Sequence, residues 1–261
     1  MPIICWLLSL EGVEVTEPET MSLTSELAKK GEFYHAVLNL IDPKKAQILI
    51  KEHQQKLSKL YFLPVPGTDY PLVGMAVIYA VREFLAQKLQ VRWFHETAAG
   101  QVMDKPMIEG PARYILMALG DTQARSSRNL YVYSPKSLLP SYRESIEDVA
   151  QIISSFNVIL PEPEMPFIPN PCWRQADGNL YMNGCLWDIR TTKQEFPLTM
   201  DNIVQQVAYI VVNQGKYPID SMGIYYSRQQ AYFQYPFTKL LKPGVIGQLE
   251  SSSRPIVDLK L

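Results

Sequence analysis

The sequence predicts an α/β (α+β) fold, a mixed sheet of about four to five strands flanked by helices and preceded by a helical N-terminal half. Three observations carry this. Apolar residues recur at helical spacing through much of residues 21–160. The pair Asn183-Gly184 lies between two strand-like apolar runs, Leu180 to Met182 and Leu186 to Ile189, which is the strongest short-range signal of a hairpin. An amphipathic stretch, Met200 to Asn213, then separates the hairpin from two further strand-like runs, Met222 to Ser227 and Ala231 to Phe237.

In chain order, residues 1–20 read as a poorly ordered or extended segment: Ile3 to Leu10 is apolar, and Glu11, Glu14, Glu17 and Glu19 follow. Met21 offers an alternative start. Residues 21–247 read as one domain, with a helical part over 21–160 and a hairpin and motif core over 168–240; residues 248–261 form a tail. Ser22 and Thr24 are cap-type residues before Glu26-Leu27-Ala28-Lys29-Lys30, and Phe33 to Leu60 is a helical pair broken at Asp42-Pro43. Tyr61 to Leu72, with Pro64, Pro66-Gly67 and Pro71, reads as a loop. Gly74 then opens Met75 to Leu85, apolar nearly all round and therefore a buried helix. Within residues 90–108, Val91-Arg92-Trp93-Phe94 is strand-like. Pro111 starts a helix through Ala118 that Gly120 would stop, and the loop over 121–129 leads to a short apolar alternation, Leu130 to Tyr133. Ser141 to Phe156 spaces Ile146, Val149, Ile152 and Ile153 as a helix, with Glu144, Glu147 and Asp148 near its positive end. The five prolines from Pro161 to Pro171 make an extended connector.

Composition narrows the function. With 25 basic and 26 acidic residues the net charge is -1, so nucleic-acid binding would need a local patch. Three cysteines, Cys5, Cys172 and Cys185, form no C-x-x-C pair; this argues against a disulfide scaffold or zinc site and suits a reducing cytosol. No run reaches the length of a membrane helix, so no membrane partner is expected.

The chemistry concentrates between Ala176 and Tyr209. Side chains alternate along a strand, so Asp188 and Arg190 share one face and Ile189 takes the other. Asp177 would enter the first hairpin strand and Asp188 would leave the second. Two converging carboxylates make a hard-oxygen site suited to Mg2+. Arg190 would hold a phosphate beside it, and Gln205 and Tyr209, at i and i+4, share a helix face. The bland reading, an exposed hairpin with charged rims, stands beside this one.

The run Ala176-Asp177, Leu180, Leu186-Trp187-Asp188-Ile189-Arg190-Thr191-Thr192-Lys193 and Gln205 with Tyr209 resembles the PD-(D/E)XK nuclease superfamily, most of all its RecB-like exonuclease branch. Ile168-Pro169-Asn170-Pro171, Gly223 to Arg228, Ser22-Leu23-Thr24 and Tyr70 to Ala76 are similar to a little-characterised group within it. The resemblance implies a restriction-endonuclease-like core and a Mg2+- or Mn2+-dependent deoxyribonuclease. Asp177 and Asp188 would be ligands, with the Ile189 carbonyl and Asn179 as further oxygens. Arg190, Gln205 and Tyr209 would complete the catalytic set, with DNA as partner. The chain departs from the pattern at Arg190, where the superfamily has a catalytic Lys, at Asn179 in place of a second Asp, and at Ile78 where an acid or His is common, with Glu83 as a distant substitute. Arg keeps the charge but accepts no proton. These departures favour the alternative, an inactive nuclease-fold module that binds nucleic acid or a protein.

Other residues have plainer expectations. His35, His53 and His95 lack metal spacing and read as surface or core histidines. Cys172 and Cys185 read as small buried apolar residues, and Arg228 as a strand-end charge or a phosphate contact. Tyr225, Tyr226, Tyr232 and Tyr235 read as strand aromatics with base stacking as the alternative.

Overall fold

The computed structural model describes residues 23–247 except 62, 64–66, 68, 92–109, 127–138, 157–159, 174–175, 193, 195–196, 214–215 and 246; the side chains of 24–26, 121–126, 139 and 172–177 also lie outside the description. Three helices come first, α1 (Leu23–Lys29), α2 (Glu32–Leu40) and α3 (Pro43–Leu57). The expected break is a working cap: the Asp42 carboxylate accepts from the N–H groups of Lys44 and Lys45, and Pro43 takes the first helical position, where no N–H is needed.

Helix α4 runs Tyr70–Lys88, four residues earlier than Gly74. Pro71 does not forbid this, because it falls in the first turn and Asp69 caps the N–H of Leu72. Helix α5 runs Pro111–Ser126, straight through the expected stop at Gly120. An interior glycine costs only about 1 kcal/mol against alanine, and packing of Ile115, Met117 and Ala118 into the core beside α4 outweighs it. A 3-10 turn, Leu139–Tyr142, leads into α6 (Arg143–Ile153). The strand-like runs expected around 92–94 and 130–133 lie outside the described residues.

The strands are β1 (Phe167–Ile168), β2 (Cys172–Trp173), β3 (Ala176–Asp177), β4 (Leu180–Met182), β5 (Cys185–Arg190), β6 (Ser221–Tyr226) and β7 (Ala231–Pro236), with α7 (Met200–Asn213) between β5 and β6. Five form one mixed sheet in the order β1-β4-β5-β6-β7, and β2 and β3 form a separate ribbon. Asn183 and Gly184 both have positive φ, 42° and 73°, as the tight β4–β5 turn requires. Strand β6 lies parallel to β5, with α7 as the crossover. Two expectations change here. The proline-rich connector contributes β1, which pairs with β4 through Phe167↔Met182 and Ile168↔Tyr181. Asp177 does not enter the hairpin, because its strand pairs with β2 instead.

The sheet separates two apolar clusters. On one face Cys185, Trp187 and Ile189 of β5 pack with α4, α5 and α6. On the other, Met222, Ile224 and Tyr226 of β6 pack with α1, α2, α3 and α7. Gly223 is dictated by the first face: a Cβ there would lie 2.4 Å from carbons of the Trp187 ring.

Candidate functional site

Strand β5 sends its odd residues into the core and its even ones toward α7, so Asp188 and Arg190 stand on one face, opposite Ile224 and Tyr226 in the parallel register. Arg190 Nε donates to Asp188 Oδ2 at 2.5 Å, and its Nη2 donates to Gln205 Oε1 on α7 at 3.3 Å. Both charged side chains are mostly covered, 18% and 15% exposed. Tyr209 is half-buried on α7 one turn beyond Gln205. The sequence-predicted group Asp188, Arg190 and Gln205 is therefore brought together, as an ion pair supported by an amide.

Arg190 lines an open cleft of about 640 Å³ at the C-terminal end of β5. In open α/β sheets this is where ligands bind. One wall is the start of α4, with Tyr70, Pro71, Gly74, Met75 and Ile78; the other holds Thr191 and Thr192 just past β5 and Thr199, Asp201 and Asn202 at the start of α7. The Ser227 N–H donates to the Arg190 carbonyl at 3.0 Å, and the Thr191 and Ser227 hydroxyls are 2.8 Å apart, which ties the ends of β5 and β6 together. Asp201 does not oppose an anion freely. It accepts from the Tyr34 hydroxyl at 2.5 Å and pairs with Lys30 at 2.9 Å, and the Tyr34 and Lys30 bonds hold its carboxyl below the usual range. Burial first, then the Asp201 bond, pushes the Tyr34 hydroxyl up to about 12.

Asn179 is committed to the backbone: its Oδ1 accepts the Ile189 N–H at 2.8 Å, continuing the β4–β5 ladder past the last paired strand residue. The segment is fixed by a residue the sequence reading did not select. Arg82, buried in α4, donates from Nε to the Asn179 carbonyl at 2.6 Å and from Nη2 to the Gly178 carbonyl at 3.2 Å and Asn170 Oδ1 at 3.1 Å. The available signal was one arginine, followed by Glu83, in the largely apolar run Met75 to Leu85, a cation that must find acceptors once buried. The backbone of Asp177 lies in the β2–β3 ribbon; its side chain is outside the description. Alternation turns the Ile189 carbonyl, like its N–H, to the β4 side.

The described donors among the expected ligands are already bonded within the protein. Mg2+ needs near-octahedral oxygens including at least one available carboxylate. Here Asp188 is held by a guanidinium, and the Asn179 oxygen already accepts an N–H. No group of three or more His, Cys, Asp or Glu side chains converges among the described residues. Glu83, the distant substitute, is bound to Arg113 at 3.1 Å instead.

Arg228 is neither a strand-end charge nor a phosphate contact: it is fully buried and makes a two-pronged pair with Asp148 of α6, at 2.9 and 2.5 Å. Asp148 is thus a core partner and not a helix-start charge. Tyr225 and Tyr226 are buried too deeply to stack on a base, and Tyr232 packs edge-on against Trp187. His53 is a core histidine beside Tyr226, Phe233 and Tyr235. Comparison of the chain with protein-family models, curated proteins and solved structures gives no match. No helix among the described residues is long and apolar enough to cross a membrane.

Proposed function

We propose that the chain is a PD-(D/E)XK-like domain that binds DNA through its phosphates and does not cut it. The observation that carries this is Arg190, oriented by Asp188 and Gln205 at the mouth of the cleft. Those bonds use two of the guanidinium's five N–H groups and leave three for a ligand. A guanidinium fixed in this way matches the two oxygens of a phosphodiester. The Thr192 hydroxyl, which accepts from the Gln194 N–H, keeps its proton for a ligand in the same cleft, and the Asp201 carboxylate there is already held by Tyr34 and Lys30. A five-stranded mixed sheet with helices on both faces supports the α/β part of that reading, and Arg190 and Asn179 stand where the resemblance implies a proton-accepting lysine and a second carboxylate. The metal-dependent deoxyribonuclease is the competing reading.

Fluorescence anisotropy with labelled DNA in EDTA, using the wild type and Arg190→Ala, tests the proposal. Wild type should bind without metal. Loss of charge-assisted bonds worth about 1.5–3 kcal/mol should weaken Arg190→Ala by roughly 10- to 150-fold. Equal affinities would overturn the reading, as would Mn2+-dependent cleavage that Asp188→Ala abolishes.

A further inference from the structure

Most described cationic side chains have a partner in the fold. Lys30, Lys88, Arg113, Arg143, Arg190 and Arg228 make ion pairs, Lys45 reaches the Leu241 carbonyl, and Lys56 lies over Phe233. The exceptions cluster. Lys44, Lys51 and Lys59 are exposed and make no ion pair with the described residues, and the same holds for Lys239 and Lys242. Lys44 and Lys51 lie seven residues apart on α3, about 10 Å along its axis, on the side opposite its buried Ala46, Leu49, His53 and Leu57, with the exposed Ile48 between them and the exposed Glu52 next to Lys51; Lys59 follows in the turn two residues past the helix end. Lys239 and Lys242 extend this lysine face, because the Asp42 N–H donates to the Leu240 carbonyl and the Lys242 N–H to the Leu40 carbonyl beside the start of α3.

The first turn of α3 carries Lys44 and Lys45, and the Asp42 cap carboxylate supplies the anion that the helix start favours.

We infer that the outer face of α3 is a second contact surface, for the phosphate backbone of duplex DNA. The inference rests on the nucleic-acid reading of the cleft but on separate residues. Exposed ammonium groups on one face neutralise phosphates without reading bases. A single strand would call for aromatic stacking platforms; the lysine face has none, and the exposed Tyr61 lies beyond its end.

The test compares the wild type, Lys44→Gln/Lys51→Gln/Lys59→Gln, Arg190→Ala and, as a control, Lys88→Gln, on one labelled duplex, on its single strand and on phosphatidylserine vesicles, at several salt concentrations. All three lysines are exposed, so the triple variant should keep the wild-type melting temperature. Its duplex affinity should fall at least tenfold, and its salt slope by roughly 2.7, from about 0.9 for each lost phosphate contact. Lys88→Gln should match the wild type. Loss in the triple variant with Arg190→Ala unchanged would retain the lysine face and reject the cleft. A triple variant with wild-type affinity and slope would overturn the lysine face. So would binding lost equally on single strands, or a wild type that binds vesicles and not DNA.

Discussion

Removing the Asp148 carboxylate should be the most damaging single change in the core. Arg228 sits at the turn between β6 and β7 with no exposed side-chain surface, and Asp148 meets it from α6, equally buried. In Asp148→Ala the guanidinium loses both carboxylate bonds in a place water does not reach. Breaking one side of such a pair costs about 3–5 kcal/mol. In a domain of this size each kcal/mol lowers Tm by about 2–4 °C, so thermal melts followed by circular dichroism should show a drop of roughly 6–20 °C. The pair as a whole is worth far less than this, because both ions were desolvated to form it. Replacing both by apolar residues, Asp148→Leu with Arg228→Met, should therefore restore most of the loss. The lesion should also reach the cleft, since Ser227, next to Arg228, holds the Arg190 carbonyl and the Thr191 hydroxyl; DNA affinity of Asp148→Ala should fall even where it remains folded. A Tm within 2 °C of wild type, or a double variant no more stable than the single one, would refute the reasoning.

Gly223→Ala should cost about 1–3 kcal/mol in urea titrations, because the new methyl meets the Trp187 ring at 2.4 Å; combining it with Trp187→Leu should recover part of that loss. Asn179→Ala leaves the Ile189 N–H without its acceptor, a loss of about 1–3 kcal/mol, and amide exchange at Ile189 should accelerate while β6 stays protected. His53 gives a pH dependence. Burial, with the Lys56 charge second, pushes its imidazole from 6.5 down to about 3, so the fold favours the neutral ring. Its contribution is complete above about pH 6.5 and is lost as pH falls toward 3, on the order of 4 kcal/mol by that point. His53→Phe should flatten the stability profile between pH 6 and 4 relative to wild type, and an unchanged slope would contradict the burial argument.

What was legible in the sequence follows the range of the forces involved. Local signals held: Asp42-Pro43 separated two helices, Asn183-Gly184 made the hairpin, and alternation put Asp188 and Arg190 on one face. Gln205 was placed correctly because helix periodicity aimed it at the same side. The failures were non-local. Nothing near Pro166 shows that Phe167 and Ile168 will pair with β4. Gly120 is a stop only for a helix without tertiary support. Arg228 and Asp148 are 80 residues apart, so each looked like an ordinary surface charge, and Arg82 looked unremarkable because two of its three acceptors are backbone carbonyls that carry no residue-type signal.

Arg190 and Asn179, two of the positions where the chain departs from the pattern it resembles, each make specific bonds, and on the proposed reading this bears on whether the site is decaying or adapted. A lysine at 190 ends in one ammonium group on a flexible stem, whereas the planar arginine fork engages Asp188 through Nε and Gln205 through Nη2 together. At 179 the amide oxygen takes the Ile189 N–H without adding a second anion beside Asp188. Arg190→Lys should then lose the Gln205 bond and weaken DNA binding while keeping the charge, and Asn179→Asp should bring repulsion and lower stability at neutral pH. If the double substitution instead gained Mn2+-dependent cleavage with no loss of stability, the arginine and asparagine would be recent losses on an otherwise competent nuclease scaffold, and the anion-holding role of Arg190 would fall.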